Sequence, residues 1–255
     1  MDEAKRQEEH NSPRAFLGFA LLSKTDWNKK KLIKDLKHKW QIDAVEDDEK
    51  SDDMLMFTID DIRAIIAFLP VPIPYEEAES AAKINYMWPD AVNAAKAHKA
   101  QLMVSVTGKE DNLLKSAELH TKLLSCCCGQ KNTIGIYTGN VVLEPKYYED
   151  FAAFLKDGEL PVFNWIWFGL YCGDNGLCCY TSGMDAFGKD EMEILDADAQ
   201  PSELLNFISS MADYVLKSNI TLNDGETIGF SEDDKHLITR SEGVSIPGMT
   251  LKIEY

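Results

Sequence analysis

The chain has 255 residues, 45% hydrophobic and 27% charged, enough apolar content to bury a substantial core in one large domain or two fused halves, and it excludes global disorder. Its 43 acidic against 26 basic residues leave a formal net charge of −17, which repels phosphate backbones and anionic lipid and argues against nucleic-acid and membrane-surface partners. A basic protein is the kind of partner that such a charge favours, although solubility alone also selects acidic surfaces.

Residues 1–13 are mostly charged or polar, end at Pro13 and are expected to be a disordered tail. The tail has no apolar h-region and no window of about eighteen apolar residues follows, so a cytoplasmic protein is expected. Six cysteines, three of them consecutive at Cys126, Cys127 and Cys128, fit a reducing compartment better than a disulfide framework.

Residues 15–22, AFLGFALL, form a short apolar run with the character of a buried strand. Ser23-Lys-Thr-Asp26 brings N-capping chemistry. From Trp27 the spacing of Leu32, Ile33, Leu36 and Trp40 predicts a helix whose other face carries Lys29, Lys30, Lys31, Lys34, Lys37 and Lys39. The acidic stretch 46–53 reads as a loop that balances this face. Two strands, 54–59 and 62–69, flank a tight turn at Asp60-Asp61, and the second runs into Pro70-Val-Pro-Ile-Pro74, where missing N–H donors end the ladder. Small residues at Ala78, Ala81 and Ala82, and again through Ala91, Ala94, Ala95 and Ala97, predict helices close against a sheet; residues 101–106 then predict a strand. The order is β-α-β-β-α-β, that of a ferredoxin-like unit.

Residues 110–128 predict a linking helix stopped at Gly129. The earlier order then returns, with a strand at 133–137, a helix at 146–156, and a hairpin of strands 162–172 and 177–184. A helix opened by Pro201 with Leu204, Leu205, Phe207, Ile208, Met211, Val215 and Leu216 on its apolar side follows, then a strand at 226–230. Further strands at 236–240 and 249–254 are punctuated by Gly225, Gly243 and Gly248. The expected fold is therefore α+β, two ferredoxin-like β-α-β-β-α-β halves with a C-terminal β extension. The first half spans 14–108, a linking helix 109–131, and the second half 132–255, and the halves can form one compact unit.

Several stretches together resemble a known family: Gly18-Phe-Ala-Leu-Leu-Ser23, Pro70-Val-Pro-Ile-Pro74, Asn85-Tyr-Met-Trp-Pro89, Phe163-Asn-Trp-Ile-Trp-Phe-Gly169, residues 180–188 and Asp224-Gly-Glu-Thr-Ile-Gly-Phe230. They are similar to the uncharacterised bacterial family catalogued as domain of unknown function 4261, from about residue 15 to the end. That resemblance implies kinship and no particular reaction, so no catalytic residue is carried over from it.

Chemistry has few candidates. His10, His38, His98, His120 and His236 are scattered, no serine sits in a G-x-S-x-G turn, and no glycine-rich phosphate loop is present. Paired zinc-type spacing is absent, so no metal or other cofactor is expected. A two-residue turn at Asn175-Gly176 would set Asp174 opposite Leu177 and Cys172 opposite Cys179, which makes those two thiols the weak candidates for a soft metal or for oxidation. The same register puts Phe163, Trp165, Trp167, Gly169 and Tyr171 on one face of the hairpin, across from Tyr180, Ser182 and Met184, and Gly169 and Gly183 thin that face. The expectation is a non-catalytic interaction protein, immunity- or adaptor-like, that turns an acidic surface toward a basic protein partner. The alternative is a small-molecule-binding protein or enzyme with an aromatic pocket between the halves, built from Trp165, Trp167, Tyr180 and Met184. The sequence sets no oligomeric state.

Overall fold

The computed structural model describes residues 14–45, 51–231 and 233–255; the expected tail at 1–13 and residues 46–50 of the expected acidic loop lie outside the described residues. The chain divides into two compact units, Met1–Asp157 and Gly158–Tyr255. No helix among the described residues is long and apolar enough to cross a membrane.

In the first unit β1 (Arg14–Leu22) is the pivot, pairing antiparallel with β4 (Ala100–Gly108) on one side and β5 (Thr133–Tyr137) on the other. β2 (Met54–Ile59) and β3 (Ile62–Leu69) extend the sheet beyond β4, and β6 (Val142–Leu143) ends it beyond β5. Asp60 and Asp61 both take positive φ, 49° and 65°, which a two-residue hairpin turn demands and which Asp tolerates better than most residues.

Helix α1 (Lys29–Trp40) starts at Asn28, whose side chain accepts a hydrogen bond from the Lys31 N–H; the cap is thus Asn28 and not the Ser23–Asp26 segment. Short helices α2 (Glu77–Ala82) and α3 (Ala91–Ala97) pack their alanines with Leu21, Tyr137 and Val142. Helix α4 (Leu113–Cys128) lies over β1 and β4 and buries Ala117, Leu123 and Leu124, while the Trp40 indole N–H donates to Ser125 Oγ at 2.9 Å and ties α1 to α4. Helix α5 (Pro145–Ala152) is joined to α1 by an ion pair between Lys39 and Glu149 at 2.8 Å.

Gly18 is what lets α4 come so near: a Cβ there would stand 2.8 Å from Leu124 Cδ1 and 3.0 Å from His120 Cε1. The His120 ring is buried against this strand, and burial lowers its pKa from the ordinary 6.5 to about 4 despite a hydrogen bond to the Val104 backbone.

In the second unit α6 (Val162–Trp165) is followed by β7 (Trp167–Cys172), β8 (Leu177–Ser182), a 3₁₀ turn (Met184–Phe187) and β9 (Glu191–Ala197). Helix α7 (Pro201–Ser218) then leads to β10 (Thr227–Ser231), β11 (Asp234–Glu242) and β12 (Met249–Ile253). The sheet order is β10-β11-β12-β9-β8-β7, with β12 and β9 parallel and the other pairs antiparallel. α7 opens with a capping box between Gln200 and Glu203, has Pro201 at its first turn and ends on left-handed Asn219. Leu204, Phe207, Ile208, Met211, Val215 and Leu216 are buried, the i, i+3, i+4 spacing of one helix face.

The α+β class holds, and the strand neighbours correct the ferredoxin-like expectation. In a ferredoxin-like unit the first strand lies beside the third; here β4 stands between β1 and β3, pairing with both. The expected second repeat loses its first strand as well, because β5 pairs with β1 in the first sheet. Local periodicity gives the element order, whereas strand neighbours are decided by long-range pairing that the order alone does not fix.

Candidate functional site

The aromatic hairpin comes first, because four of its residues are the candidates for a ligand pocket. Residues 162–165 form a turn of helix, closed by hydrogen bonds from Asn164 N–H to Pro161 O and from Ile166 N–H to Val162 O, so the strand begins only at Trp167. Trp165 consequently leaves the strand face and packs on Phe187, ring centroids 5.3 Å apart. Trp167 and Met184 are buried, at 3% and 0% exposure. Tyr180 lies directly across from Gly169, and its ring fills the space that glycine leaves: a Cβ on Gly169 would be 2.1 Å from Tyr180 Cε1. Burial raises the Tyr180 pKa, partly offset by a hydrogen bond from Trp167. What closely approaches the thinned face is therefore the hairpin's own tyrosine.

The register of this hairpin differs by two residues from the two-residue turn. Cys172 pairs with Leu177 and Leu170 with Cys179, around a four-residue loop closed by Gly173 N–H to Gly176 O at 2.8 Å. Asp196 of β9 is the cause. Its carboxylate accepts from Asn175 N–H at 3.1 Å, and its backbone abuts Gly176, where a Cβ would stand 2.5 Å from the Asp196 carbonyl carbon. Cys172 is exposed and Cys179 buried, and the two are diagonal, not opposed. Burial pushes the Cys179 and Cys126 thiols up to about 12 and the Cys127 thiol well above its ordinary range, so these three stay protonated and unreactive near neutral pH. Among the described residues no group of three His, Cys, Asp or Glu side chains is placed to hold a metal ion.

A cleft of about 990 Å³ opens elsewhere in the same unit. One wall is the second half of α7, with Ser210, Met211 and Tyr214; the other is β10, the terminal strand of the sheet, reached through the loop Ile220-Thr221-Leu222. Glu226, Asp234 and Lys235 stand at its edge. Tyr214 and Phe230 are 51% and 60% exposed, too open to be core. Behind Phe230 lies an aromatic cluster: Phe207 meets Phe230, His236 and Tyr255 edge-on at 5.6, 4.6 and 4.9 Å. Asp234 shapes the rim, accepting from Phe230 N–H at 2.8 Å and contacting His236 at 2.9 Å, and those contacts hold its pKa below the usual carboxylate range. Gly229 is obligatory here, since a Cβ would sit 1.7 Å from the Asp234 carbonyl oxygen.

A family match falls on this same part of the chain. Residues 180–254 match the family described as Domain of unknown function (DUF4261). The DUF4261 match runs from Tyr180 in β8 through to β12 and takes in the whole cleft, while Trp165 and Trp167 precede it. No curated protein and no solved structure matches the chain.

Charge is also concentrated there. Residues 158–255 hold 17 acidic against 5 basic side chains, and residues 1–157 the remaining 26 and 21. One of the acidic groups is interior: Glu193 is fully buried and meets Lys252 Nζ at 2.7 Å, Ser245 N–H at 2.6 Å, Val244 N–H at 3.1 Å and Thr250 Oγ1 at 2.8 Å. Burial alone would raise its pKa, but these donors outweigh it and hold the carboxyl at about 2. Glu193 thus pins residues 244–245 to the sheet and contributes nothing to the surface field. The sequence signals for the cleft were the apolar face of the Pro201 helix and the strand at 226–230; exposed Tyr214 and Phe230 carried no mark of their own.

Proposed function

We propose that this is a non-catalytic binding protein that receives a basic, extended segment of a protein partner on its acidic C-terminal unit. The observation that carries the reading is the cleft between α7 and the terminal strand β10, rimmed by exposed Tyr214 and Phe230 in the more acidic part of the chain. A strand at the end of a sheet offers a row of backbone donors and acceptors to a new strand, and a helix beside it supplies a wall for alternate side chains. Exposed aromatics in such a position act as anchors, and the surrounding negative field speeds and selects a positively charged partner. The same reading gives the DUF4261 region its role as the partner-binding part of the chain.

Calorimetric titration of the full chain with two synthetic peptides tests it, one alternating Lys with Val and the other Glu with Val. The Lys peptide is expected to bind, to weaken as salt is raised, and to lose about tenfold in affinity with Tyr214→Ala or Phe230→Ala. Equal binding of both peptides, or an affinity untouched by both substitutions, would overturn the proposal.

A further inference from the structure

A second cleft, of about 780 Å³, lies in the first unit and has the opposite character. Its lining brings together five lysines from two segments distant in sequence, Lys24, Lys29, Lys30 and Lys31 around the start of α1, and Lys131 from the loop after α4, with Trp27 among them. The walls are fixed by polar side chains that are already used. Asn132 Nδ2 donates to Asp26 O at 2.8 Å and to Asp26 Oδ1 at 3.1 Å, and its backbone carbonyl accepts from Ser23 N–H at 2.8 Å. Gln130, 5% exposed, accepts from Asn28 N–H through Oε1 at 2.7 Å and donates to Asn28 O through Nε2 at 3.2 Å. The segment carrying Lys24 and the segment carrying Lys131 are thereby clamped into one rigid mouth.

The lysines divide by what they already touch. Lys29 donates to Ser51 O at 2.6 Å and Lys31 pairs with Asp35. Among the described residues Lys24, Lys30 and Lys131 make no ion pair, and the carboxylates in the lining are Asp52 and Asp26, the latter accepting from the neutral Asn132 amide. The Asn28 side chain caps the Lys31 N–H at the first turn of α1, and the ammonium groups bring full positive charges to the mouth. Trp27 stacks on Phe68 at 6.2 Å with rings 14° apart, which holds its indole as a flat apolar wall of the cleft. Three cations without an ion pair among the described residues, gathered around a preshaped polar cavity on a chain of net charge −17, are out of keeping with a solubilising surface.

We infer that this cleft is a binding site for a small phosphate-bearing anion, with Lys24, Lys30 and Lys131 on the phosphates and Trp27 beside any ring that the ligand carries. It is independent of the peptide cleft and of the function proposed above. Titrating the full chain calorimetrically with pyrophosphate at low salt, and then with adenosine triphosphate, tests the site. Saturable binding of pyrophosphate is expected, with a loss of about tenfold or more in the triple variant Lys24→Ala, Lys30→Ala, Lys131→Ala. The charge-matched control Lys37→Ala, Lys146→Ala, Lys217→Ala, which removes lysines already paired with Asp43, Asp150, and Glu159 with Asp213, is expected to keep its affinity. Tighter binding of adenosine triphosphate with quenching that disappears in Trp27→Phe would assign a ring-bearing ligand; equal affinity for both probes would assign the phosphates alone. Absence of saturable binding, or equal losses in the triple variant and the control, would overturn the site. If the triple variant lacks the wild-type circular dichroism, Lys131→Ala alone is read in its place.

Discussion

The two clefts are similar in size and opposite in design. In the first unit, at about 780 Å³, polar side chains clamp two loops together and leave lysines over. In the second, at about 990 Å³, a helix and a terminal strand make the walls, aromatics make the rim, and the surrounding charge is acidic. The difference teaches that a net charge of −17 describes neither surface: the acidity belongs mainly to residues 158–255, and the excess of lysine at the first cleft is local. The largest expected effect comes from breaking one wall. Gly229→Val drives a side chain into the Asp234 carbonyl and should cost about 3 kcal/mol or more. Hydrogen exchange is expected to report lost protection in β10 and β11 with pyrophosphate affinity unchanged; loss at both clefts would break the comparison.

Acid should separate the units next. His120 is held neutral inside the first unit with its pKa lowered to about 4, while an unfolded histidine titrates near 6.5. Between those values the unfolded chain binds the proton and the folded chain does not, so stability rises with pH. The contribution is complete above about pH 6.5, is lost as pH falls toward 4, and amounts to about 3 kcal/mol. Glu193, held at about 2, has the later window: its contribution is complete above the ordinary carboxylate range, near 4.5, and disappears as pH falls through 2. Urea unfolding at pH 7.5 and pH 5 checks the first statement, and His120→Leu should flatten the difference. A variant that keeps the full pH dependence would show that another group carries it.

How much of this was legible in the sequence depended on the distance over which each feature is decided. The Asp60-Asp61 turn and the buried face of α7 are set by neighbouring residues and were readable as such. The position of β4 between β3 and β1 was not, because β-α-β-β-α-β order is compatible with either neighbour and the choice lies in contacts distant in sequence. The hairpin register failed for a nameable reason, since Asp196, twenty residues beyond Gly176, widens the turn. For the clefts, the lysine face of α1 was visible, but Lys131 joins it only through the Asn132 and Gln130 hydrogen bonds.

The buried ion pair ranks third. Glu193→Gln keeps the shape of the side chain but weakens four charge-assisted hydrogen bonds and leaves Lys252 without its carboxylate, at an expected cost of about 2 kcal/mol in denaturant unfolding. Peptide binding should be untouched, because Glu193 has no exposed surface to contribute to the acidic field. A tenfold loss of peptide affinity in a folded Glu193→Gln chain would mean that the residues 244–245 it anchors take part in the second cleft.

The smallest effects distinguish rim from core. Tyr214 is about half exposed and Lys30 is exposed, so truncating either removes little buried area. Tyr214→Ala and Lys30→Ala should therefore each shift stability by less than about 0.5 kcal/mol, measured as the midpoint of urea unfolding at constant slope. Trp167→Ala is the contrast: it empties a site that is 3% exposed and removes the hydrogen bond to Tyr180, and should cost several times more. That ordering is what separates the two clefts from the aromatic hairpin. If Tyr214→Ala proves as costly as Trp167→Ala, Tyr214 is holding α7 in place, and the second cleft loses its anchor while the lysine cleft keeps its own.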